Sequence, residues 1–292
     1  MIDFVEIAVG TGGGVRCERC HGTTQNAMYS PTADLVSRVS RALAGPTARP
    51  GPNVALTGPE PFGHPELPAI VSAAVEGGVS RLRIDTDASA LRSPENASGV
   101  LAAGARHFRV TLLGGSPGLH DVLSGSPGAF DAALEGVAEL HDAVRAQGVT
   151  ACITALVPAC RHNAHDLPAT VGAAVEARMD AVVLRIDDGA GDVGAGAAWI
   201  AAACDTGVVN GVWVEVEGAP FCVLREHALH SSDVVRGRIG AKAPACAGCA
   251  LDSVCGGGPA GASADVLAVL SPPPSADVLA EAVSRALGAG ER

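Results

Sequence analysis

Aromatic residues are scarce in this chain. Phe, Trp and Tyr together make up 3% of its 292 residues, so a base-stacking surface for nucleic acid is not expected. An excess of basic charge is missing as well. The formal net charge is −11, which argues against nucleic acid and against anionic membranes as partners. No apolar run reaches the roughly 18 residues of a membrane span. The start, Met1-Ile2-Asp3-Phe4-Val5-Glu6-Ile7, lacks the basic region and apolar stretch of a signal peptide. A reducing cytoplasm is therefore the expected setting. The acidic balance reads as solubility.

Cysteine, by contrast, is plentiful. Nine cysteines in a reducing compartment point to ligands or buried thiols rather than disulfides. Cys152 and Cys204 lie in apolar, regular segments and read as small core residues. Cys160 follows a strand, and loop or core packing is its expected role. The length suits one large domain, or a domain with a small appendage, and is ample for a core.

Short apolar runs alternate with helix-compatible stretches. Predicted strands cover Phe4–Val9, Val54–Thr57, Arg81–Asp85, Phe108–Leu113, Thr150–Leu156 and Ala181–Ile186. The predicted helices that follow them cover Thr32–Ala44, Glu66–Glu76, Glu95–Ala103, Ala129–Gln147, Asp166–Arg178 and Ala195–Cys204. Such alternation implies an α/β fold with a parallel sheet. Nearly all-apolar strands suggest helices on one face and a filled interior on the other. Six units suggest a partial (β/α)6, TIM-like barrel, with its site at the C-terminal strand ends. After residue 210 the pattern changes. Val212–Val216 reads as one more strand, followed by a Cys- and Gly-rich region to about Ala260. Pro272-Pro273-Pro274 then precedes a predicted helix over Asp277–Leu287. The expected domains are 1–210 for the barrel, 211–271 for a small cluster-binding appendage and 272–292 for the terminal helix.

Two cysteine groups carry the chemistry. The C-terminal one reads Cys246-Ala247-Gly248-Cys249, then Cys255-Gly256-Gly257-Gly258, with Cys222 upstream. Thiolates are soft ligands suited to zinc or to iron–sulfur clusters. The following glycines permit tight turns around a bulky inorganic core. A structural zinc knot is the alternative at this point. The N-terminal group has only Cys17 and Cys20, with glycine at position 13 where a CxxxCxxC loop needs its first thiol. Gly10-Thr11-Gly12-Gly13-Gly14 invites a dinucleotide reading, but no amphipathic helix begins at the third glycine.

With these residues in place, the chain resembles the radical S-adenosylmethionine (SAM) superfamily, in the branch with a C-terminal twitch or SPASM-type auxiliary cluster. Arg16-Cys17-Glu18-Arg19-Cys20 resembles the end of the family's CxxxCxxC loop. Thr57-Gly58-Pro59-Glu60-Pro61, followed by His64-Pro65-Glu66-Leu67, resembles its TGGEP segment. Arg83-Ile84-Asp85-Thr86-Asp87, His120-Asp121 with Gly125–Phe130, and Asn163 with Asp166-Leu167 resemble later landmarks in the correct order. Gly218-Ala219-Pro220-Phe221-Cys222 with Cys246, Cys249 and Cys255 resembles the twitch segment. The resemblance implies a [4Fe–4S] cluster on the first loop that binds SAM, backbone oxygens of Gly58, Pro59, Glu60 and Pro61 facing the SAM ammonium, and release of a 5′-deoxyadenosyl radical. It also implies an auxiliary [4Fe–4S] cluster on Cys222, Cys246, Cys249 and Cys255.

The chain departs from that pattern at three positions. Gly13 replaces the first ligand, Pro59 replaces a glycine, and His21 stands where an aromatic is usual. Proline keeps its carbonyl but loses its N–H. Cys17 and Cys20 are then remnants, ligands of an unusual cluster, ligands completed by a partner chain, or part of an altered metal site. Three functions compete. The first is an iron–sulfur protein of radical SAM fold, tied to peptide or natural-product modification, with classical SAM cleavage impaired or lost and a scaffold role beside a complete paralogue. The second is an active radical SAM enzyme with unusual ligation of its SAM cluster, acting on a peptide or small metabolite. The third is a zinc-stabilised binding protein. Because the first strand begins almost at Met1, a peptide substrate is expected to need a separate recognition protein. Catalytic residues are not assigned. Among other residues, Glu60 is expected to brace its turn. Asp85, Asp87, Arg185, Asp187 and Asp188 fall at strand ends, and His162 and His165 on a surface turn.

Overall fold

The computed structural model describes residues 4–12, 26–44, 52–186, 193–232 and 242–258. Gly13, Cys17, Cys20, His21, Asp187, Asp188 and the predicted helix over 277–287 lie outside the described residues. Seven strands form a sheet in the order β1-β4-β5-β6-β7-β8-β9. They are β1 (Phe4–Ala8), β4 (Asn53–Thr57), β5 (Arg81–Thr86), β6 (His107–Thr111), β7 (Cys152–Ala159), β8 (Ala181–Ile186) and β9 (Trp213–Glu217). The registers are parallel, with Glu6 opposite Ala55, Ala55 opposite Arg83 and Asp85 opposite Arg109. The expected α/β fold with a parallel sheet is present.

The helices α1 (Thr32–Leu43), α2 (Leu67–Glu76), α3 (Pro94–Ala102), α5 (Ala129–Gln147), α6 (Leu167–Glu176) and α7 (Val193–Asn210) follow the strands. Three of them, α2, α3 and α6, carry proline at their first or second residue, where a missing N–H costs nothing. Helix α4 (Pro117–Ser124) has no counterpart in the sequence reading, because its eight residues include a proline and a glycine. Helix α7 runs six residues past its predicted end at Cys204. A second short element was also missed. The antiparallel ribbon of β2 (Gly10–Thr11) and β3 (Met28–Tyr29) pairs residues that flank the segment carrying Cys17 and Cys20.

The chain divides into two compact units. One comprises residues 2–156 and 176–180, the other 157–175 and 181–292. In the first, Val54, Leu56, Leu82, Ile84, Phe108, Val110, Ile153 and Ala155 are buried. Each large apolar side chain buried this way stabilises by about 1.5–3 kcal/mol. The alternate positions correct the expectation of all-apolar strands. Glu6, Arg83, Asp85, Arg109 and Thr154 occupy them, and Cys152 is only half-buried, with its sulfur 3.7 Å from the Thr154 hydroxyl. One face of this sheet is therefore polar. In the second unit, Arg185 pairs with the fully buried Glu217 across β8 and β9 at 2.7 Å. Cys160 is buried in the turn after β7. Its N–H donates to Asn163 Oδ1 at 2.7 Å, and Asn163 Nδ2 donates to the Pro158 carbonyl at 2.9 Å. His165 is exposed and His162 partly so. Among the described residues no helix is long and apolar enough to cross a membrane.

Candidate functional site

The turn after β4 is the first site. Gly58 holds φ +99°, and a Cβ there would lie 3.1 Å from the Ala8 Cβ and 3.4 Å from the Gly10 carbonyl oxygen. A side chain is thus strained by the conformation and crowded by Ala8. The Val9 N–H donates to the Thr57 carbonyl at 2.8 Å, and the Ser30 N–H donates to the Val9 carbonyl at 2.9 Å. The described residues on either side of the cysteine-bearing segment are thereby held close to Gly58.

Glu60 organises this turn. Its Oε1 accepts from Thr86 Oγ1 at 2.6 Å and from the Phe62 N–H at 3.3 Å. Its Oε2 accepts from the Asp87 N–H at 2.7 Å. Its carbonyl accepts from the Tyr29 hydroxyl at 2.9 Å and from the Gly63 N–H at 3.0 Å. Burial and the Asp87 carboxylate push the Glu60 carboxyl up to about 8, while the three donors pull against that rise. The bracing role expected from sequence is the one observed. Pro59 and Pro61 are buried in the same turn.

His64 closes the far side. Its Nδ1 accepts from the Glu66 N–H at 3.1 Å, so the proton sits on Nε2, which donates to the Ser30 carbonyl at 3.0 Å. The Tyr29 ring meets the His64 ring edge-on at 5.7 Å. Tyr29, Thr86 and Ser30 are supports that sequence reasoning missed, because their partners are 26 to 34 residues away.

On the polar sheet face, Asp85 receives Arg83 Nε at 2.6 Å and is also paired with Arg109. Glu6 lies 3.6 Å from Arg83 and 3.7 Å from Arg109. Arg109 is 4% exposed. The strand-end residue Asp85 is thus locked in an ion network. Asp87 instead caps the next turn, accepting from the Ser89 N–H at 2.8 Å and the Ser89 hydroxyl at 2.6 Å.

The second site lies in the other unit. Gly218, at φ +81°, ends β9, and a Cβ there would lie 2.8 Å from the Ile186 carbonyl oxygen. The chain then enters the short helix α8 (Phe221–Leu224), which carries Cys222. Burial pushes the Cys222 thiol up to about 11, and the neighbouring Cys255, Cys246 and Cys249 add to the rise. The other three predicted cysteines are thus near enough to Cys222 to act on it electrostatically. Cys249 and Cys255 pack against Phe221, Ala228 and Leu251. The Cys249 N–H donates to the Cys246 carbonyl at 3.0 Å, and the Gly257 N–H approaches Cys255 Sγ at 3.4 Å. Lys242 Nζ donates to the carbonyls of Asp252 and Cys255 at 2.9 and 2.7 Å, tying the loop.

The donor set fits a thiolate-held metal centre. Zinc would hold its sulfurs roughly 3.8 Å apart. Among the described residues, the group of three ligand side chains drawn within 4.8 Å of one another is a different one.

No family model matches the chain. It is 28% identical over 45% of its length to the AdoMet-dependent heme synthase of Methanosarcina barkeri, covering 37% of that protein. It is 30% identical over 41% of its length to the PqqA peptide cyclase of Ruegeria pomeroyi, covering 30% of that protein. The chain thus spans about a third of the length of these curated relatives. Streptococcus suis SuiB, solved with its precursor peptide SuiA, superposes with a TM-score of 0.53 at 13% identity, over 76% of this chain and 51% of SuiB. SuiB has also been solved bound to S-adenosylmethionine, where the TM-score is 0.51 over 72% of this chain and 46% of SuiB. These comparisons indicate the radical SAM superfamily.

Proposed function

We propose that this chain is an iron–sulfur protein of the radical SAM class in which classical SAM cleavage is impaired or lost. The observation that carries this reading is the nearness of Cys246, Cys249 and Cys255 to Cys222, together with glycine at position 13 of the N-terminal cysteine segment. A [4Fe–4S] cluster on the C-terminal set would supply electron transfer or structural support. With two thiolates on the first loop, a cubane would keep two irons without a cysteine ligand. The reading divides the chain into a barrel part at 1–210, a twitch or SPASM-like part at 211–271 and a terminal part at 272–292.

The relatives named for a peptide cyclase and solved with a precursor peptide support a role in peptide or natural-product modification. The protein would act beside a complete radical SAM paralogue or a separate peptide-recognition protein. Nine cysteines, none required to pair, suit a reducing cytoplasm.

A second reading is favoured by the turn at Gly58–Pro61, which Thr86, Asp87 and Tyr29 brace through Glu60. On this reading the protein is an active radical SAM enzyme, acting on a peptide or small metabolite, and another group completes the ligation at Cys17 and Cys20. Mixing the reduced protein with SAM and measuring 5′-deoxyadenosine and methionine separates the two. No cleavage supports the first reading, and turnover supports the second. Cys249→Ala should remove iron from the C-terminal set, and unchanged iron would refute that assignment.

A further inference from the structure

Cys204, His227 and His230 each offer one ligand atom, and the three atoms lie within 4.8 Å of one another. They belong to the unit that holds the cysteine set but share no residue with it. Cys204 sits on α7 and is fully buried. His227 and His230 sit on the stretch Arg225–His230 after α8, which kinks at His227 (φ −90°, ψ 15°). The two rings meet edge-on, 5.7 Å between centroids.

Each imidazole is oriented from behind. His230 Nδ1 lies 2.6 Å from the Val214 carbonyl oxygen. A carbonyl can only accept, so Nδ1 carries the hydrogen and Nε2 keeps its lone pair. Trp213 stacks on the same ring at 4.6 Å, 8° from parallel, and fixes its plane. His227 Nε2 faces Asp205 Oδ1 at 3.4 Å, leaving Nδ1 as the donor atom for a ligand. A carboxylate or carbonyl behind each histidine is the usual support of metal-bound imidazole.

We infer that Cys204, His227 and His230 form a mononuclear metal site, separate from the iron–sulfur ligands. One thiolate and two imidazoles match the borderline softness of zinc, at sulfur and nitrogen distances of about 2.3 and 2.0–2.1 Å. Three protein ligands leave a fourth position for water or a substrate atom. Binding displaces the thiol proton to solvent, so charge balances with no redox step.

The test uses the full chain, reconstituted with iron and sulfide and then dialysed against zinc. Zinc and iron per chain are counted, and the zinc edge is read by X-ray absorption. The expected result is about one zinc per chain, ligated by one sulfur and two nitrogens. His227→Gln should lose that zinc while iron stays unchanged. Asp205→Asn, a change at an exposed positioning residue, should weaken zinc by about 10–100-fold. No zinc in the wild-type protein, an all-sulfur zinc shell, or equal zinc in wild type and both variants would overturn the site. The wild-type absorption spectrum decides the matter even if a variant fails to fold. Iron content reports separately on the cluster proposal.

Discussion

The Thr86 hydroxyl donates to Glu60 Oε1 at 2.6 Å and accepts from the Ala88 N–H at 2.9 Å. One side chain thus ties the turn after β4 to the end of β5. Glu60→Ala would strand this hydroxyl and the N–H groups of Phe62 and Asp87. Each buried orphan costs about 1–3 kcal/mol, so a loss of about 3 kcal/mol is expected. Urea unfolding of the two proteins checks it. A loss below about 1 kcal/mol would mean that water replaces the carboxylate.

Asp85 is the partner that permits a guanidinium to be buried at Arg109. Removing one member of a buried pair leaves an uncompensated charge, at a cost of about 3–5 kcal/mol. Glu6 is a second, more distant carboxylate, so Asp85→Ala should fall near the lower end. Thermal unfolding and near-ultraviolet circular dichroism would read both stability and retained packing.

Helix α5 crosses the turn after β5 at Gly136. A Cβ there would lie 1.9 Å from the Ala88 carbonyl oxygen. Gly136→Ala should therefore destabilise by about 1–3 kcal/mol through forced backbone movement. Gly172, inside α6, has nothing within 4 Å of the same position. Gly172→Ala should instead stabilise by about 0.5–1 kcal/mol. Opposite shifts in denaturation midpoint are the expected pattern, and shifts of the same sign would contradict it.

Asp121 caps the start of α5. Its Oδ2 accepts from the Gly128 N–H at 2.6 Å and its Oδ1 from the Phe130 N–H at 2.9 Å. These donors hold its carboxyl below the ordinary 3.8. The unfolded chain therefore binds the proton more readily than the folded one. The capping contribution is complete above pH 3.8 and is lost as pH falls through the lower folded value. Asp121→Asn should flatten the acid limb of the stability curve, and an unchanged limb would remove Asp121 as a cause.

Apolar periodicity made the strands and most helices legible, since Leu82, Ile84, Phe108 and Val110 are buried as their runs imply. The polar face was legible too, because Arg81–Thr86 and His107–Thr111 alternate polar and apolar residues, and the reading of nearly all-apolar strands missed it. Which charges meet there is set by strand pairing. Thiol spacing and the glycines that follow it singled out Cys222, Cys246, Cys249 and Cys255, and the fold sets the last three near Cys222. The sequence reading passes over Cys204, His227 and His230 as a group, although the three-residue histidine spacing is a usable signal. Cys204 lies 23 residues before His227 and reads as core until the fold places it there.

Iron and acid-labile sulfide per chain, counted after anaerobic reconstitution, test the central claim most directly. Electron paramagnetic resonance of the reduced sample, with and without SAM, completes the measurement. The account requires one cluster, with a spectrum that SAM does not alter and that Cys249→Ala abolishes. Two clusters, one of them shifted by SAM, would contradict it and would mean that the glycine at position 13 is bypassed.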